Sequence, residues 1–140
     1  MAFNTLFSCQ RYILMKKTIL LTATILGGLS VLIGAMGAHF LEDYLISVDR
    51  VDTYETAVKY QFYHVLFLLS LAICLEFSQQ NIIKYAFYCC LLGLLFFSGS
   101  LYLLCATNNS IFGMITPIGG LLLVMSWLLF FSAVIKSKKI

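Results

Sequence analysis

Apolar and polar positions alternate along this chain in long blocks rather than in a short period. From about Thr18 to His39 no charged residue occurs, and the same holds from about Tyr85 to Ala106 and from about Ile111 to Ile135. About 20 mainly apolar residues suffice to cross a hydrocarbon core, so each block predicts a membrane-spanning helix. A weaker block separates Lys59 from Glu76, with 16 uncharged residues between them. Sixteen residues of helix reach only roughly 24 Å, short of a core of about 30 Å. Snorkelling by Lys59 and an added turn through Phe77 extend it. The expected second helix therefore runs over about 52–77, with Glu55 and Lys59 four apart supporting helix at its start. The four expected helices cover about 18–39, 52–77, 85–106 and 111–135.

Short connections make successive helices antiparallel neighbours. The expected fold is an all-α membrane protein, a four-transmembrane-helix bundle running up-down-up-down. Only the first connection, about 40–51, is long enough to hold structure of its own. Arg11, Lys16, Lys17, Lys84, Lys136, Lys138 and Lys139 fall on one side of the spans, and only Arg50 and Lys59 on the other. The positive-inside rule then places both termini in the cytoplasm. Five of the six acidic residues, Glu42, Asp43, Asp49, Asp52 and Glu55, fall in the outer connection and the start of helix two.

Composition sharpens the class. Hydrophobic residues make up 61% and charged residues 11%, against about 25% charged in soluble domains. No basic stripe exists outside the termini, so nucleic acid is not an expected partner. One domain is expected over 15–140. Residues 1–14 read as an N-terminal extension, because Met15-Lys16-Lys17 before an apolar run resembles the opening of a bacterial membrane or secreted protein. A cleaved signal peptide ending at Ala35-Met36-Gly37 competes, but the apolar run exceeds the 7 to 15 residues of an h-region. The five cysteines, Cys9, Cys74, Cys89, Cys90 and Cys105, form no C-x-x-C pair. They read as small apolar packing residues. No metal site and no cofactor is expected.

Two kinds of residue stand out inside the spans. Small residues at regular spacing predict close helix packing: Ser30, Gly34 and Ala38 at four-residue intervals with Gly37 beside them, Ala86, Gly93 and Ser100 at seven-residue intervals in helix three with Gly99 beside them, and Gly113 and Gly120 seven apart in helix four with Gly119 beside them. Pro117 starts or kinks helix four depending on its depth. Polar residues are the other kind, since ionisable groups in a bilayer are candidates for function. His39 ends helix one, and His64 lies early in helix two with Tyr60 on its face and Tyr63 adjacent. The two histidines are expected at similar depth on neighbouring helices. Three accounts stand for them: interfacial hydrogen bonding, proton or small-solute handling with Glu55 at a cavity mouth, and metal or haem ligation. Trp127 reads as a packing residue.

Four motifs occur in order: Gly34-Ala-Met-Gly-Ala-His39, Glu55-Thr-Ala-Val-Lys-Tyr60-Gln-Phe-Tyr63-His64, Phe97-Ser-Gly-Ser-Leu-Tyr102 and Ile115-Thr-Pro-Ile-Gly-Gly120. On these the chain resembles the YgdD-like family of small inner-membrane proteins, also called domain of unknown function 423. The likeness covers about Met15 to Ile135. It implies a four-helix inner-membrane protein and supplies no activity. It also draws attention to polar residues from all four helices. His39, Glu55, Tyr60, Tyr63, His64, Ser98, Ser100, Tyr102 and Thr116 are expected to form one ligand-binding patch toward the outer half. The leading expectation is a non-enzymatic structural, accessory or small-ligand-binding protein of the bacterial inner membrane. Its expected partners are the bilayer and either further copies of the chain or another membrane protein. A small transporter or proton-conducting oligomer and a redox or haem-binding subunit are the alternatives.

Overall fold

The computed structural model describes residues 2–137, with side chains from residue 10 onward. Helix α1 spans Ala2–Ala35 and passes into a π-helical turn, Met36–Phe40. A short helix α2, Glu42–Ser47, fills the first connection. Then come α3, Val51–Cys74, α4, Gln80–Thr107, and α5, Thr116–Ile135, the last entered through a 3-10 turn at Ser110–Met114. Four of these helical segments are long and apolar enough to cross a membrane. They pack in chain order, α1 on α3, α3 on α4 and α4 on α5, as short antiparallel connections dictate. One end of the bundle holds both termini, and the other holds α2 and the 3-10 turn. These are called the terminal end and the loop end below.

The boundaries have local causes. Asp49 and Asn108 adopt left-handed backbone (φ 54° and 49°), which their short polar side chains tolerate, and so end α2 and α4. Pro117 falls in the first turn of α5, where its missing N–H is harmless. Helix α3 stops at Cys74, so Glu76 and Phe77 lie in the following turn rather than in the helix expected through 77. Glu76 there approaches Lys16 of α1 at 3.8 Å.

Helix α1 meets α3 through Ala23, Gly27, Ser30, Gly34 and Gly37, at alternating spacings of four and three residues. Gly27 faces Val65, Gly34 faces Val58 and Gly37 faces the Tyr54 ring. This corrects the expected face of Ser30, Gly34 and Ala38. A strict four-residue step drifts about 40° around a helix of 3.6 residues per turn, so Ala38 has rotated out of the seam and is exposed.

Helices α4 and α5 approach more closely. A Cβ added at Gly119 would lie 2.3 Å from the Phe97 backbone nitrogen, and one at Gly93 would lie 3.0 Å from that of Leu123. Gly113 and Gly120 make ordinary contacts with Leu104 and Phe97, and Gly99 meets nothing beyond its own helix. The main apolar core, including Phe67, Leu68, Leu71, Ile83 and Phe87, lies between the helices toward the terminal end. The large apolar side chains of α5 that remain exposed, among them Leu121, Leu128 and Phe131, face the surroundings a bilayer supplies.

Candidate functional site

The polar residues expected in one patch are divided by the fold into three groups. The first lies between helices, with Ser98 and Ser100 buried and Tyr102 and Thr116 half-buried, and is bonded within the bundle. Ser98 Oγ donates to the Ala57 carbonyl (2.9 Å), joining α4 to α3. Tyr102 donates to Gln61 Oε1 (3.0 Å), and Gln61 Nε2 donates to the Leu26 carbonyl of α1 (3.1 Å). The same carbonyl also accepts from Ser30 Oγ (2.8 Å), both side-chain bonds being additional to its place in the α1 backbone ladder. Ser100 Oγ donates to the Phe97 carbonyl (3.0 Å) and therefore accepts from Thr116 (2.8 Å), which ties α4 to α5. Apolar surroundings make such bonds obligatory, since an unpaired buried polar group costs several kcal/mol in hydrocarbon.

His64 forms the second group. It is buried near the middle of α3 rather than early in it. Nδ1 lies 2.8 Å from the Tyr60 carbonyl and Nε2 lies 3.3 Å from Trp127 Nε1 of α5. A carbonyl only accepts and an indole N–H only donates. Nδ1 therefore carries the proton, Nε2 is bare, and the imidazole is neutral with both nitrogens engaged. Tyr60 stacks on its ring, and Phe67 and Trp127 close the cage edge-on.

The expected equal depth of the histidines is not what the fold makes. The facing of Gly27 with Val65 and of Gly34 with Val58 sets His64 level with about Gly28. His39 lies about eleven residues further along, roughly 16 Å, exposed in the π turn. The two side chains do not form a shared ligand set, and no group of three or more metal-ligating side chains occurs among the described residues. Tyr63 is likewise exposed and outside the interhelical network.

The third group surrounds a groove of about 280 Å³ at the loop end. Gly34, Gly37 and Ala38 form one wall; Val51, Tyr54 and Val58 form the other; Leu45 of α2 adds to the floor. Glu42, Glu55 and Lys59 supply its charged groups. Lys59 Nζ donates to Glu55 Oε2 at 2.7 Å, whereas Glu42 has no ion-pair partner among the described residues. Tyr54 holds the walls together, donating to the Ile33 carbonyl at 2.8 Å with its ring against Gly37. The π turn, a form often found at functional sites, supplies Gly37 and Ala38 to the groove.

Of the expected binding residues, only Glu55 lines this groove. Glu42, Tyr54 and Lys59 were not singled out as binding residues in the sequence, nor were Gln61 and Trp127 as partners of Tyr102 and His64. The i,i+4 spacing of Glu55 and Lys59 was the visible signal for part of the rim. Nothing local to Tyr54 or Trp127 reports a partner 21 or 63 residues away.

Residues 33–120 match the family model described as protein of unknown function (DUF423). That stretch contains the whole groove and the His64 cage apart from Trp127. A membrane protein of family UPF0382 from Staphylococcus haemolyticus is 45% identical over 101 residues, covering 72% of this chain and 81% of its own length. The UPF0382 membrane protein YwdK of Bacillus subtilis is 36% identical over 86% of this chain and 98% of its own. The inner membrane protein YgdD of Escherichia coli is 30% identical over 89% and 94%. No solved structure matches significantly. With a family model matching most of the chain and relatives aligned over nearly their whole lengths, this multi-pass membrane protein belongs to the DUF423 family.

Proposed function

We propose that this chain is a non-enzymatic, small-ligand-binding protein of the bacterial inner membrane, with both termini cytoplasmic, acting through its loop-end groove. One observation carries the reading. The buried polar side chains between the spans have their hydrogen bonds committed to the bundle itself, while the groove combines an apolar floor with charged groups. A mostly apolar concavity with a few placed polar groups is the usual form of a small-molecule site. His64, held neutral on both nitrogens, lacks the free position that a proton relay or a haem ligand requires. The inner-membrane assignment draws on the name of the Escherichia coli relative, and the orientation on the excess of Lys and Arg at the terminal end.

Native mass spectrometry of protein extracted gently from its own membrane tests the binding reading. The expected result is a small copurifying mass that Ala38→Trp, which fills the groove, removes from a folded protein. A stoichiometric second protein with no small ligand would make the chain an accessory subunit instead. A solute or proton flux in proteoliposomes that His64→Ala abolishes would favour transport. For orientation, a reporter active only in the periplasm and fused after Ile140 should stay silent; strong activity would reverse the topology.

A further inference from the structure

Charge is distributed unevenly around the groove. The loop end carries Glu42, Asp43, Asp49, Asp52 and Glu55 against Arg50 and Lys59, five acids to two bases. Both bases are engaged: Lys59 with Glu55 at 2.7 Å, and Arg50, whose Nε donates to Asn108 at 3.2 Å. Glu42 is thus the groove-lining charge left without an ionic partner among the described residues. The walls beneath it, Gly37, Val51, Tyr54 and Val58, are almost wholly apolar. An unmatched carboxylate at the exposed rim of an apolar groove favours a positive partner, by the modest amount of one partly exposed ionic contact.

We infer that the groove binds a small amphiphilic cation, an alkyl or aryl ammonium, with its ammonium at Glu42 and its apolar body between the π turn of α1 and α3. This rests on the ligand-binding reading above and names the class of ligand. Size selects among cationic amphiphiles. A groove of about 280 Å³ lies at the lower end of small-molecule sites, about 300 Å³ upward. That suits a free amine of medium chain length better than a whole phospholipid. The geometry also divides the labour. The Glu55–Lys59 pair balances itself, so Glu55 shapes the rim while Glu42 sets the sign of the ligand.

Three ligands with the same chain isolate the head group: octylammonium, octanol and octanoate, titrated into the protein in nanodiscs. The readout is saturable chemical-shift change at the Gly37 and Ala38 amides, with Ala38→Trp as the blocked control. Octylammonium should bind about fivefold more tightly than octanol, the size of one partly exposed ionic contact, and octanoate most weakly. Glu42→Gln, an exposed change compatible with the fold, should erase the difference between amine and alcohol.

Equal binding of octanol and octylammonium, or a preference that survives Glu42→Gln, would overturn the cationic assignment while leaving the groove a binding site. Displacement of octylammonium by short-chain phosphatidylethanolamine would overturn the free-amine assignment in favour of a lipid headgroup. Absence of any saturable shift with all three ligands would overturn both this inference and the ligand-binding reading.

Discussion

The two outer helices are held by seams built from the same kind of residue, yet the seams differ in what the glycines touch. Between α4 and α5, Gly119 faces backbone: an added Cβ would sit 2.3 Å from Phe97 N and 2.6 Å from Phe96 C. Between α1 and α3, Gly27 and Gly34 face methyl groups of Val65 and Val58 at 3.3 Å, and Gly37 faces the Tyr54 ring. A side chain can turn aside and a backbone cannot. The α4–α5 seam is therefore rigid and intolerant, whereas the α1–α3 seam yields near the loop end, where the groove opens. Small residues in membrane helices do not form one class; each is worth what its neighbour is able to concede.

Graded glycine substitutions break that comparison in order. Gly119→Ala should have the largest effect, because the two helices must separate along the seam. A loss of about 3 kcal/mol or more is expected, read as unfolding of the detergent-solubilised protein at lower denaturant. A loss under 1 kcal/mol would mean that the seam closes less tightly than described. Gly37→Ala should rank second, at about 1–2 kcal/mol. It displaces the Tyr54 ring and with it the bond to the Ile33 carbonyl. Tyr54→Phe isolates that bond and should cost about 1 kcal/mol, with groove binding weakened while the fold survives. Gly99→Ala should be the smallest, neutral or slightly stabilising, since nothing outside its own helix opposes a methyl and alanine favours helix. A substantial loss there would reveal a contact outside this single chain.

The same contrast explains which interactions were legible in the sequence. The Glu55–Lys59 pair could be seen because four residues along a helix always bring two side chains together. The need for close packing at Gly93 and Gly119 was visible for similarly local reasons, whereas the sequence left open whether Pro117 starts or kinks its helix, and the 3-10 turn ahead of α5 decided it. The Tyr102–Gln61–Leu26 chain and the His64–Trp127 contact were not. In a soluble protein a helix shows which face is buried by being apolar there and polar opposite. In a bilayer the lipid is as apolar as the protein interior, so Leu121 against lipid and Leu123 against α4 look alike in the sequence. The rotation of each helix about its axis is thereby hidden, and every contact that depends on it is hidden too.

The sequence alone determined the number of spans, their order and their antiparallel arrangement. Hydropathy is a local sum, and a bilayer admits only helices of that length from such blocks. It also determined the charge asymmetry between the two ends. The tertiary structure decided that the expected single polar patch is three separate environments. It placed His64 in mid-span and His39 roughly 16 Å away in depth. It gathered Glu42, Tyr54 and Glu55 around one groove from α2 and α3. Those outcomes depend on helix rotation, on the π turn and on the fold of the connecting segment. They are fixed by how side chains interlock across helices, and no spacing within one helix encodes that.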